Sequence, residues 1–256
     1  MLFANIDLPS AIYHDHKMGV NHLIRLEKVC KEYKAGQETI RALGPVNIKI
    51  KASEKVAVVG PSGAGKSTLL NILGLLEQPT SGTYYLEETD TTVYGENAMA
   101  FIRRDKIGFV FQRYNLIEEL DIQHNIALPL VYRGWSAKQR RTAVEEALAA
   151  VGLSMGKSRL KPAQLSGGEQ QRVAIARAIV GNPRILLADE PTGNLDSITG
   201  QQIVDLLIQL HRAGQQGVLV IVTHNMQVAR QMDRMITLCD GRIEESSAEL
   251  ATCGGS

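Results

Sequence analysis

At 256 residues with 44% hydrophobic side chains, the chain is long enough to bury one sizeable core as a single α/β unit. Lys plus Arg total 28 against 27 for Asp plus Glu, a formal net charge of +1, so no basic field calls for a nucleic-acid partner and no acidic excess favours disorder. No run approaches the roughly 20 apolar residues needed to cross a bilayer, and residues 1–20 lack the basic and apolar regions of a signal peptide, so a cytoplasmic chain is expected.

In chain order, residues 1–20 show neither helical nor strand periodicity and read as a flexible extension, with Met18 an alternative start. Residues 23–29 and 46–50 alternate apolar and polar side chains, as half-buried antiparallel strands do. Three runs, 56–59, 185–188 and 218–222, are unbroken Val, Ile, Leu and Ala, which predicts central parallel strands covered on both faces. Ser136 and Gln139 have capping-box spacing ahead of an apolar stripe at Val144, Ala147, Leu148 and Val151, with Gly152 as the stop. A second helix follows Asp196-Ser197, with Ile203, Leu206, Leu207 and Leu210 on one face and Gly214 closing it. The polar residues 246–256 read as a tail. Cys30, Cys239 and Cys253 lack metal-ligand spacing and are expected as free thiols.

Between the first buried run and the helix expected near Thr68 stands Gly60-Pro61-Ser62-Gly63-Ala64-Gly65-Lys66-Ser67, which fits G-x-x-x-x-G-K-[ST] in its required strand–loop–helix context. Glycines let consecutive N–H groups close around a β-phosphate, and the helix N-terminus adds partial positive charge. Lys66 is assigned to the β- and γ-phosphates and Ser67 to Mg²⁺, so the ligand is a magnesium-bound nucleoside triphosphate. The run 185–188 leads into Asp189-Glu190 on the same sheet edge; neighbouring strand side chains diverge, so Asp189 is assigned to the metal and Glu190 to the general base. The run 218–222 leads into Thr223-His224, and His224 is placed to bond the γ-phosphate and the attacking water.

Leu165-Ser166-Gly167-Gly168-Glu169-Gln170-Gln171-Arg172 resembles the signature motif of ATP-binding cassette (ABC) ATPases. A serine and two Cβ-free amides at a helix start, here expected at 169–180, make a second anion cradle. The resemblance implies a P-loop fold with a RecA-like parallel-sheet core, an N-terminal antiparallel β subdomain and an inserted helical subdomain at about 113–165, the cassette covering 21–245. It implies a homodimer in which Leu165 to Glu169 close over the γ-phosphate held by the other copy. On the same resemblance Tyr33 stacks on adenine, Gln112 is the Q-loop glutamine touching Mg²⁺ or water, and Asp196 belongs to the D-loop at the dimer interface. Glu169 and Asn225 stand where the family more often has Gln and Asp.

The wording of residues 107–112, 115–116, 128–130 and 188–197 resembles the branch of lipoprotein-releasing, macrolide-export and cell-division ATPases. That implies a separate inner-membrane permease, peripheral attachment at its cytoplasmic face and, in some assemblies, a periplasmic adaptor and outer-membrane channel. Regulation of an envelope or division complex without transport remains the alternative. Tyr114, Leu116, Ile117 and Leu120 are candidate partner contacts.

Overall fold

The computed structural model describes residues 22–36, 38–213 and 217–247. The expected extension at 1–20 with Met18, the helix stop at Gly214, and Cys253 lie outside the described residues.

The alternating runs near the start become β1 (Ile24–Ala35) and β2 (Glu38–Ile50), longer than their apolar pattern predicts. They pair antiparallel with Ile24 opposite Ile50 and Leu26 opposite Ile48, so one apolar face is shared across the ladder. With β4 (Ser81–Leu86) and β5 (Thr89–Asp90) they form a four-stranded sheet in the order β2-β1-β4-β5.

The three unbroken apolar runs become β3 (Lys55–Val59), β7 (Ile185–Asp189) and β8 (Val218–Val222). They lie inside a six-stranded sheet with β6 (Ile107–Val110), β9 (Arg234–Cys239) and β10 (Arg242–Ser247), in the order β10-β9-β3-β8-β7-β6. All pairs in it are parallel except β9 with β10. Because β10 runs through Ser247, the segment expected as a tail from 246 begins inside a strand.

Period-two alternation places these strand residues against different cores. Val56, Val58, Leu187 and Val220 face the antiparallel sheet, helix α1 (Lys66–Leu73) and helix α2 (Glu96–Lys106). Ala57, Val59, Leu186, Ala188 and Ile221 face the other way, against α3 (Ile122–Tyr132), α4 (Ala137–Ala150), α5 (Gly167–Ile179) and α6 (Ser197–Ala213). This is why no polar residue interrupts the runs.

Residues 113–165 hold α3, α4 and two short 3₁₀ turns, Met155–Lys157 and Pro162–Gln164. The capping box at Ser136 forms: its hydroxyl accepts from the Gln139 backbone N–H, and Val144, Ala147, Leu148 and Val151 are buried. Two helix starts differ from expectation. α1 begins at Lys66 and α5 at Gly167, because the preceding Gly65 and Ser166 supply the caps.

Candidate functional site

The strand register sets the height of the site. Val222 pairs with both Val58 and Asp189, and Ala188 with Val110, so the carboxyl ends of β3, β8, β7 and β6 finish level. Gly60, His224, Glu190 and Gln112 therefore leave one edge within two residues of each other's level, on strands about 4.8 Å apart.

The phosphate loop can be built only with glycine at two of its positions. Gly60 has φ +149° and a Cβ there would lie 2.1 Å from the Leu238 carbonyl oxygen; Gly65 has φ +95°, and its Cβ would lie 2.4 Å from that of Ala42. Pro61, Ser62 and Gly63 form the exposed rim, while Ala64 is buried against the core. Lys66 Nζ donates to the Gly60 and Pro61 carbonyls at 2.8 and 2.7 Å, so the ammonium folds over its own loop. Ser67 is exposed beside it.

Asp189 ends β7 half-buried. Burial pushes its carboxyl above the ordinary value and the neighbouring Glu190 carboxylate adds to this, while the Lys66 ammonium works against both. Asp189 thus senses the catalytic edge and the phosphate loop at once. Glu190 turns away from the strand with φ +44°, an uncommon conformation for a non-glycine residue, held by its N–H donating to the Val222 carbonyl at 2.9 Å. That turn brings Glu190 Oε1 within 2.9 Å of His224 Nδ1. The imidazole itself is exposed.

Gln112 is exposed two residues past β6, and its amide lies against the turn after Glu190: a Cβ at Gly193 would sit 2.6 Å from Gln112 Nε2. Asn194 Nδ2 donates to the Gln112 carbonyl at 2.9 Å, so these two loops are joined within one chain. Asp196 caps α6, its Oδ1 accepting from the N–H groups of Ile198 and Thr199 at 3.1 and 3.0 Å, and the Thr199 side chain and N–H hold its carboxyl below the usual range. Tyr33 is 38% exposed on β1, its hydroxyl donating to Glu77 at 2.6 Å and bonded to the Thr68 side chain on α1. The Lys31 ammonium lies over the Tyr33 ring, 5.2 Å from its centroid, and the hydroxyl sets the ring near the first turn of the phosphate-loop helix.

The turn at Ser166 is built from other neighbours. Leu165 is buried, Ser166 caps α5 and forms a capping box with Glu169, a methyl group at Gly168 would lie 2.6 Å from Thr199 Cγ2, and one at Gly167 would lie 3.1 Å from the Tyr114 hydroxyl. Ser166, Gly167 and Gly168 thus rest on α6 and on Tyr114.

Two supporting residues were not read from the sequence. Arg177 on α5 donates to the carbonyls of Asn115 and Tyr114 at 2.5 and 2.7 Å, holding a turn whose φ values are +49° and +59°. Gln171 is fully buried and donates to Pro191. The one sequence signal was polarity: Gln171 follows Gln170 in a helix whose inward positions are otherwise apolar. The expected partner patch is narrower than predicted, because Tyr114, Leu116 and Leu120 are half-buried, leaving Ile117 exposed. Asn225 caps the short helix α7 (Met226–Ala229) through Gln227 N–H at 2.8 Å, a role Asn and Asp fill equally. Cys30 and Cys239 are free thiols.

A glycine-bounded loop between a buried parallel strand and a helix, with two carboxylates on the same sheet edge, defines a P-loop nucleoside triphosphatase. The ABC transporter family matches residues 43–193. The chain is 50% identical to an uncharacterized ABC transporter ATP-binding protein of Methanocaldococcus jannaschii, MJ0796, over 87% of this chain and 95% of that protein. It is 43% identical to the macrolide export ATP-binding/permease protein MacB 2 of Aeromonas hydrophila over 88% of this chain and 34% of that relative, of which it therefore spans about a third. The dimeric structure of MJ0796 matches with a TM-score of 0.81 at 48% identity, covering 88% of this chain and 97% of that one. Its dimeric post-hydrolysis state bound to ADP and Pi matches with a TM-score of 0.80 at 46% identity, with the same coverage. The chain belongs to the ABC transporter family. It is an ATP-binding and ATP-hydrolysing cassette subunit.

Proposed function

We propose that the chain powers a separate membrane permease by closing on ATP, head to tail, with a second copy of itself. The observation that carries this is that the two anion cradles have different neighbours within one chain: the loop 60–67 lies against Ala42 and Leu238 with Lys66 acting on Asp189, whereas the Ser166 turn is built on α6 and Tyr114. The dimeric structures of MJ0796, one of them bound to ADP and Pi, support pairing with a second copy.

In this reading the amides of residues 60–68 hold the phosphates and Tyr33 stacks on the adenine. Lys66 exchanges its bonds to the Gly60 and Pro61 carbonyls for bonds to the β- and γ-phosphates, replacing neutral acceptors with charged ones. Glu190 accepts the proton of the attacking water, and His224, bonded to Glu190, orients that water against the γ-phosphate. Leu165 to Glu169 close over the γ-phosphate of the other copy, with Asp196 at the same interface.

The donor set fits Mg²⁺. Ser67 offers a hydroxyl, Asp189 a carboxylate and Gln112 an amide oxygen, all hard donors, and the upward push on the Asp189 carboxyl is relieved by a neighbouring dication. Among the described residues no group of three His, Cys, Asp or Glu stands ready to hold a metal, in keeping with a cation whose remaining ligands are phosphate oxygens and water. Held by Ser67, Asp189 and Gln112, a Mg²⁺ ion would supply positive charge against the phosphates.

Among the described residues no helix is long and apolar enough to cross a membrane. The macrolide export ATP-binding/permease relative supports a permease partner and export as the direction; in this reading the chain docks at the cytoplasmic face of the inner membrane. In the export reading a periplasmic adaptor and an outer-membrane channel complete the assembly. The test is recovery of the tagged chain from solubilised membranes. A stoichiometric polytopic membrane protein whose reconstitution raises ATP turnover supports the reading; recovery only with soluble division or envelope proteins overturns it.

A further inference from the structure

The capping box of α5 needs an acceptor three residues after Ser166, and an amide oxygen serves as well as a carboxylate. Here the acceptor is Glu169. Its Oε2 receives the Ser166 N–H at 3.0 Å and the Ser166 hydroxyl at 3.1 Å, while its Oε1 is met by Lys157 Nζ. The hydrogen bond from Lys157, followed by the backbone bond from Ser166, holds this carboxyl down at about 2, so it is fully charged at any working pH. A permanent negative charge therefore stands in the first turn of the helix whose N-terminus is the second anion cradle.

An incoming γ-phosphate meets two obstacles at this turn. The Ser166 hydroxyl is already donating to Glu169, and the carboxylate itself repels the anion. At a separation of about 5 Å and an effective dielectric near 20, one unneutralised unit charge weakens association with another by roughly a few hundredfold, which solvent and salt at this part-exposed turn screen to about ten- to a hundredfold. Lys157 lies on the 3₁₀ turn Met155–Lys157, N-capped by Ser154, whose Oγ accepts from Gly156 N–H at 3.2 Å. That turn delivers the ammonium to the outer carboxylate oxygen and leaves the Ser166 side open.

We propose that Lys157 is a positioning residue for the shared ATP site: by neutralising and anchoring Glu169 it lets the Ser166-Gly167-Gly168 turn accept the γ-phosphate held by the second copy. The inference rests on the head-to-tail reading above. It predicts that Lys157 matters only while residue 169 carries a charge, which separates it from a packing role and from a surface ion pair of little consequence.

The test is a double-variant cycle in the full chain carrying Glu190→Gln, reading by light scattering the MgATP concentration that gives half-maximal dimer at fixed protein concentration. Lys157→Ala is expected to raise that concentration about ten- to a hundredfold, with fluorescent-nucleotide binding to the monomer unchanged. Lys157→Ala combined with Glu169→Gln is expected to dimerise within about twofold of Glu169→Gln alone, because the charge to be neutralised is gone. If the Glu190→Gln parent itself does not dimerise on ATP, the head-to-tail reading falls and takes the proposal with it. If the parent dimerises and Lys157→Ala matches it, or if Glu169→Gln fails to rescue Lys157→Ala, the proposal alone is overturned.

Discussion

The side-chain amide of Gln171 donates to the Pro191 carbonyl at 2.7 Å, tying the helix that Ser166 caps to the residue after Glu190, the proposed general base. Gln171 is fully buried, and among the described residues its Oε1 meets no donor. Because Glu190 sits at φ +44°, its carboxylate direction depends on what holds the following turn. Gln171→Leu leaves the Pro191 carbonyl without its donor and is expected to cost about 1–3 kcal/mol in urea unfolding. It is also expected to lower kcat while leaving KM for ATP near its original value, since nothing in the loop 60–67 is touched. Steady-state kinetics separate the two.

Lys66→Ala removes the one ammonium folded over the phosphate loop. Hydrogen bonds to charged groups contribute about 1.5–3 kcal/mol, so ATP affinity measured calorimetrically is expected to fall by at least about tenfold. The far-UV spectrum should not change, because the bonds lost in the free protein are to loop carbonyls at the surface.

Asp189 gives a pH prediction with a definite sign. Its folded-state carboxyl is raised by burial and by Glu190, so between its unfolded and folded values the native state binds more protons than the unfolded one. Without nucleotide, its charged form lowers stability at neutral pH, and that penalty is relieved as pH falls through the raised value. Asp189→Asn is therefore expected to melt higher than the parent at pH 7 in the absence of Mg²⁺ and nucleotide. The difference should shrink toward pH 4, and turnover should be lost throughout. Thermal melts of both proteins across pH check this. An equal gap at every pH would assign the effect to something other than ionisation.

How much of this was legible in the sequence follows the range of the interactions. Motifs whose parts lie within a few residues read correctly: the loop 60–67 between strand and helix, the capping box at Ser136, and the unbroken runs 56–59, 185–188 and 218–222. The outer half of the β1–β2 hairpin did not, because Glu38 to Arg41 are exposed and carry no alternation to mark a strand. Nor did the left-handed backbone of Glu190, the Arg177 bonds to Tyr114 and Asn115, or the Lys157–Glu169 pair, each of which depends on elements brought together only by folding. Tyr114 was read as a surface residue because an aromatic in a charged loop looks exposed; its hydroxyl instead packs over the signature glycine.

The central claim is that the catalytic site is completed by a second copy, and light scattering of Glu190→Gln with and without MgATP tests it most directly. Glu190→Gln should bind ATP with turnover lowered at least about a hundredfold, since the amide keeps the side-chain shape but cannot take the proton. It should double its mass only when ATP is present, and adding Ser166→Arg should abolish the dimer while each protomer still binds ATP. A nucleotide-loaded Glu190→Gln protein that stays monomeric, or a Ser166→Arg variant that dimerises as readily as its parent, would contradict the account.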